Sequence, residues 1–282
     1  MESTYLSLLL FSILTIVYYI FKPSPQINDV STDQSYANFT KNGYIPMIIY
    51  FLLVVVVQFA LNSGVIVNKC GGSVSQNVGA AAVMTFIPWV LIFGSLMLVL
   101  IAFPGFKSAF SNVIGYFVVA GEANNVLTTL LVNQETKIAI DGETNTTPEK
   151  KQELSKAAEA ILKLCGNMSV LINQIVPSNF EEYWSLLKPL MKPEYQTSDE
   201  QSTELKTKLL NLVVRRDNIG EALWYVYTAV LLISVIQYNL TTRGCVKDPS
   251  AMEASHQAFL KEEEIQNQQQ AKLQNTIYYQ TQ

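Results

Sequence analysis

Residues Tyr44–Val67 read YIPMIIYFLLVVVVQFALNSGVIV and hold no Asp, Glu, Lys or Arg. A helix rises about 1.5 Å per residue, so roughly 20 mainly apolar residues cross a hydrocarbon core of about 30 Å, and this stretch is long enough. Lipid offers the backbone no hydrogen-bond partner. A spanning segment is therefore a helix or part of a closed barrel, and a long uninterrupted apolar run is not a barrel strand. The run Val54-Val55-Val56-Val57 would weaken a helix in water, but in lipid the backbone has no better alternative.

Outward from this stretch the same pattern recurs. Charge is absent from residues 3–21, 42–68, 70–106 and 222–242, whereas the sequence between Lys107 and Glu221 is rich in it. The distribution predicts an all-α protein with four transmembrane helices, at about 4–21, 44–67, 81–103 and 220–241. A cleaved signal peptide would need a positive start and a small-residue cleavage site. Here Glu2 leads and Tyr18-Tyr19-Ile20-Phe21 closes, so the first segment reads as an uncleaved anchor with Tyr18 and Tyr19 at the interface. Residues 23–43 read as a polar loop and 68–80 as a Gly/Ser-rich turn. Pro88 is expected to kink the third span.

Residues 105–219 are expected to form a helical soluble domain. Val113–Ala120 is apolar but too short to span, which suits a helix lying at the interface or packed on protein. After a polar loop at 141–147, Thr147-Pro148-Glu149 looks like a helix start. Leu154, Ala158, Ile161, Leu164, Cys165, Met168, Leu171, Ile172 and Ile175 then recur at helical spacing and predict one buried face. Ser178-Asn179-Phe180-Glu181 resembles a capping box opening a short helix. A last helix over about 198–217 is expected to continue toward the fourth span. The tail, 242–282, is polar and Gln-rich and suits a solvated helix or docking arm.

Both termini and residues 68–80 should share one side of the membrane, and the central domain the other. Lys22, Lys41, Lys107, Arg215 and Arg216 flank the spans on the domain's side, against Lys69, Arg243 and Lys247 opposite, which favours a cytosolic domain. Cys70 and Cys245 both fall just outside a span on the other face. A disulfide can form between them there, and the alternative is that all three cysteines serve as small apolar residues. Asn-x-Ser/Thr triplets start at Asn38, Asn145, Asn167 and Asn239, and three of them lie on the side assigned to the cytosol.

The chain has 282 residues, a formal charge of −4, three cysteines and one histidine, His256. Such usage gives no basis for a metal cluster, and the mild acidity argues against nucleic acid as a partner. No Gly-x-Ser-x-Gly, His-Glu-x-x-His or Gly-x-x-x-x-Gly-Lys motif occurs, so neither an enzyme nor a cofactor or small-molecule substrate is expected. A transport pathway would rest on few polar groups: Gln58, Glu221 and Gln237. Glu221 reads as a residue of a helix's first turn, within reach of Arg215 and Arg216. What remains is a hydrophobic anchor carrying a helical domain, with lipids and other structural proteins as partners. Phe180, Tyr183 and Trp184 on a short helix are candidate partner contacts, core packing being the alternative.

The segment Phe103–Tyr116, FPGFKSAFSNVIGY, resembles one found in multi-pass membrane proteins of the large icosahedral double-stranded DNA viruses of eukaryotes. There a Pro-Gly turn after a span precedes a Phe-Ser-Asn…Gly-Tyr helix start. The resemblance implies a minor capsid protein of the virion's internal membrane, itself derived from a host endomembrane, that tethers membrane to capsid shell. The order of loops is also similar to that of tetraspanins. Those carry a Cys-Cys-Gly motif and further cysteines in the large loop, where this chain offers only Cys165-Gly166.

Overall fold

A computed structural model describes residues 2–70, 75–131, 167–197, 199–245 and 249–279. The described residues are helical apart from short connections and one isolated bridge between Leu131 and Met191. Four helical stretches are long and apolar enough to cross a membrane. The first is α1 (Glu2–Phe21). A short helix, α2 (Asp33–Asn42), leads into the second, α3 (Tyr44–Cys70). The third comprises α4 (Ser75–Pro88), a π-helical turn (Trp89–Phe93) and α5 (Gly94–Ala102). The fourth lies within a helix of 43 residues that begins at Glu200 and ends at Thr242.

After Pro88 the helix widens into a π-turn and continues without ending. Gly94 N–H accordingly bonds to Trp89 O, five residues back. The expected kink site is thus a change of helical register.

Each span contributes an aromatic side chain to the bundle core. Phe11, Tyr50, Phe93 and Tyr225 come from spans one to four and all are buried. Ring centroids of Phe11 and Phe93 lie 5.8 Å apart, and those of Phe93 and Tyr225 5.4 Å. Tyr18 stacks on Tyr50 at 4.5 Å and is buried. Tyr18 is therefore a core residue, not the interfacial belt residue expected, because a ring in the bundle gains packing that the interface does not offer.

The polar loop expected at 23–43 is largely helical. A 3-10 turn (Ile27–Val30) precedes α2, whose N-cap Thr32 accepts from Ser35 N–H at 3.1 Å. Val30 is buried in the domain core, with Ile27 and Tyr36 packed against it. Thr32 supplies the cap and Asp33 favours the first turn, signals that composition alone obscures.

The domain itself is built from a π-turn (Ser111–Gly115), α6 (Tyr116–Leu130), α7 (Met168–Gln174), α8 (Phe180–Leu187) and the first half of the long helix, α9 (Glu200–Thr242). Asp199 caps α9 by accepting from Ser202 N–H at 2.8 Å. The chain has no break near residue 219, where domain and fourth span meet. At about 1.5 Å per residue, α9 is roughly 65 Å long, twice a hydrocarbon core. The expected helix start at 147–149 and the apolar positions 154–165, Cys165 included, lie outside the described residues, as does Asn145. A final helix, α10 (Pro249–Tyr279), forms the tail, and its described side chains are all exposed.

Candidate functional site

The chemistry of this molecule concentrates where the bundle meets the domain. Lys22 follows the end of α1, Lys107 ends the Pro104–Lys107 turn, and Asp217 and Asn218 lie one turn before Glu221 on α9. Lys22 Nζ reaches Glu221 Oε1 at 2.7 Å and donates to Asn218 Oδ1 at 2.9 Å. Lys107 Nζ sits 2.7 Å from Glu221 Oε2 and 3.0 Å from Asp217 Oδ2. Tyr19 OH donates to Glu221 Oε1 at 3.0 Å. Two cations thus balance two anions around a carboxylate with only 8% of its side chain exposed. Asp217 and Glu221, four residues apart on one helix, would repel each other, and Lys107 between them turns repulsion into a bridge.

Burial works against the Lys107 charge, but the Glu221 and Asp217 carboxylates outweigh it and hold the ammonium above its ordinary pKa. Lys107 therefore stays charged across the physiological range. Glu221 lies 21 residues past the start of α9, so it is no first-turn residue, and it pairs with Lys22 and Lys107, not with Arg215 or Arg216. The earlier expectation fails because the helix does not begin at the membrane.

Arg216 serves a different end. Wholly buried, it donates to Ile172 O, to Ile175 O at 2.8 Å and to Asn173 Oδ1 at 3.4 Å, where α7 runs out of intrahelical partners. Burial lowers its pKa. Asn173 Nδ2 donates onward to Asn112 O at 3.2 Å. Two glycines permit this packing. A Cβ on Gly115 would come within 2.6 Å of Arg216 O, and one on Gly220 within 2.8 Å of Lys107 O. Any larger residue would separate the Ser111–Gly115 turn from α9.

Beside these ion pairs lies a cavity of about 520 Å³ walled by Tyr18, Tyr36, Phe39, Met47 and Leu100, with Lys22, Lys107 and Glu221 at its polar edge. Within the spans, several polar side chains bond from one helix to another. Gln58 Nε2 donates to Ser7 O at 3.0 Å. Ser3 Oγ donates to Gln237 Oε1 at 3.0 Å, Gln237 Nε2 to Asn62 Oδ1 at 2.7 Å, and Asn62 Nδ2 to Thr85 Oγ1 at 2.9 Å. Such bonds join helices in lipid, where an unsatisfied polar group is costly.

At the opposite end of the bundle Cys70 and Cys245 form a disulfide across 175 residues. Lys69 Nζ donates to Thr241 O at 2.5 Å, Arg243 O at 2.6 Å and Leu240 O at 3.3 Å, filling the open carbonyls at the end of α9.

The candidate contacts on α8 divide differently from the exposed-anchor reading. Phe180 and Trp184 are buried, 1% and 7% exposed, and Tyr183 is packed against the same core. The exposed reading of Phe180 and Trp184 is corrected: a helix of eight residues gains its stability by turning its large apolar side chains inward. The capping box proposed there is also absent. Asn179 Oδ1 accepts from Val176 N–H at 2.7 Å, and Glu181 pairs with Lys206 at 2.6 Å. Leu186 on α8 and Val170 on α7 are partly exposed, and a larger group of exposed apolar side chains is Phe106, Val113, Ile114 and Phe117, with Phe117 84% exposed. The apolar stretch after Lys107 thus both packs on α9, through Gly115 and Val119, and shows an apolar ridge beside the spans.

Sequence reasoning missed the pairing of Lys22 and Lys107 with Glu221, although a signal was present. Lys22, Lys41, Lys107 and Glu221 are the charges that bound the charge-free runs on the domain's side, and the fold brings all but Lys41 together. No known protein family, curated protein or solved structure matches this chain.

Proposed function

We propose that this protein is a structural membrane tether, a minor capsid component that joins a viral internal membrane to the capsid shell through its helical domain. The observation that carries the reading is the unbroken α9, which starts in the domain core and ends beyond the fourth span. The ion pairs of Lys22 and Lys107 lock the first and third spans to the same helix. A load on the domain is then borne by the whole lipid-embedded bundle and not by a flexible linker. The viral setting rests on the likeness of Phe103–Tyr116, together with the span order and the Asn/Gln-rich tail, and no catalytic step enters the reading.

Transport is less well supported. Gln58 and Glu221 spend their hydrogen-bonding capacity on neighbouring helices, which is what structural polar groups in lipid do. A tetraspanin-like organiser lacks its cysteines in the large loop.

Chemical cross-linking of detergent-stripped particles carrying the protein tests the tether. Lys188 and Lys208 are exposed on the domain and should link to capsid-shell proteins. Links confined to other membrane proteins, or an ion flux abolished by Glu221→Gln, would overturn it.

A further inference from the structure

Between α1 and α9 lies a second groove, of about 690 Å³, that the ion pairs do not occupy. Two helical stripes make its walls: Ser12, Ile16 and Ile20 of α1, and Ile219, Ala222 and Val226 of α9. Ile16 and Ile20 are 60% and 69% exposed, so this wall faces lipid in a membrane. From Ser12 to Ile20 the groove runs about 12 Å along α1, at the level of an acyl chain.

Its rim has the opposite character. Asn211, Arg215, Asn218 and Ser24 surround the mouth on the domain's side of the bundle. Arg215 is exposed, one turn beyond Ile219 on the same face of α9, and makes no ion pair among the described residues. Its neighbours differ: Lys22, Lys107 and Arg216 are all engaged. A guanidinium presents a planar fork that fits phosphate oxygens, and none of the four residues at the rim supplies a competing carboxylate.

We propose that this groove binds one anionic phospholipid of the leaflet on the domain's side, with its phosphate on Arg215 and an acyl chain along α1 and α9. Charge selects the headgroup, since a lone cation at an apolar cleft is complemented by a net negative lipid. The inference does not depend on the capsid reading. If the domain is cytosolic, the leaflet concerned is the one that carries anionic lipid.

Native mass spectrometry of the full chain in a neutral detergent, with dioleoyl phosphatidylglycerol or dioleoyl phosphatidylcholine added, is the test. Phosphatidylglycerol should be retained preferentially as one copy per chain. Arg215→Gln should weaken that retention about fivefold, the effect of one basic residue near a membrane surface, and Arg215→Lys should keep part of it. Lys261→Gln, on the exposed tail helix, should change nothing. Ala222→Phe, which fills the groove, should reduce retention of both lipids while the melting temperature reports that the fold persists. Equal retention of the two lipids, wild-type retention by Arg215→Gln, an equal loss in Lys261→Gln, or full competition by millimolar inorganic phosphate would each overturn the proposal.

Discussion

The two ends of the bundle are fastened by different chemistry. On the domain's side Lys22, Lys107, Asp217 and Glu221 form a compact ionic knot. On the other, a covalent bond joins Cys70 to Cys245 and Lys69 caps α9. A thiol pair persists as a disulfide only in an oxidising compartment, whereas ion pairs are indifferent to redox state. The two ends should therefore respond differently to a reductant. The difference also separates mechanisms: the ionic end acts in the folded state, and the disulfide acts largely by restraining the unfolded chain.

Three perturbations test that contrast. The largest effect should come from Glu221→Gln, which removes a buried carboxylate and leaves two half-buried ammonium groups facing one carboxylate. Breaking one partner of a buried pair costs about 3–5 kcal/mol, read as a lower melting temperature in detergent, and adding Lys22→Met should recover part of it. No recovery would mean that shape, not charge balance, holds this end. Next is Cys70→Ser, or reduction of the native protein, with an expected loss of about 2–4 kcal/mol. A melting temperature unmoved by reductant would remove the disulfide from the account. Smallest is Lys69→Met, about 0.3–1 kcal/mol at a helix C-terminus, visible as faster hydrogen exchange over residues 239–243 with residues 217–221 unchanged. Faster exchange at both ends would show that the two are coupled.

The spans were legible because their signal is local. A charge-free run such as Tyr44–Val67 has one low-energy environment, and its length fixes its structure. The ionic knot was not legible, because Lys22 and Glu221 stand 199 residues apart and Lys107 and Asp217 110 apart. Nothing in a window around Glu221 reveals that α1 and the Pro104–Lys107 turn will arrive beside it. Glu221 follows the same logic: an apolar run starts there, but the helix that carries it begins at Glu200. Phe180 and Trp184 show the complement. Their apolar character was plain, but which side of α8 faces the core depends on α9 and the residues around Leu190 packed against it. For Cys70 and Cys245 the sequence leaves pairing and free thiols both open, and it is their places beside two span ends that bring them within bonding distance.

The unbroken course of α9 has a mechanical consequence. A transmembrane rod answers a thicker or thinner bilayer by leaning more or less from the normal. With no hinge between its lipid-embedded half and its aqueous half, whatever angle the rod takes in the membrane is the angle at which it presents the globular head. Bilayer thickness is thereby converted into orientation on the far side of the headgroups.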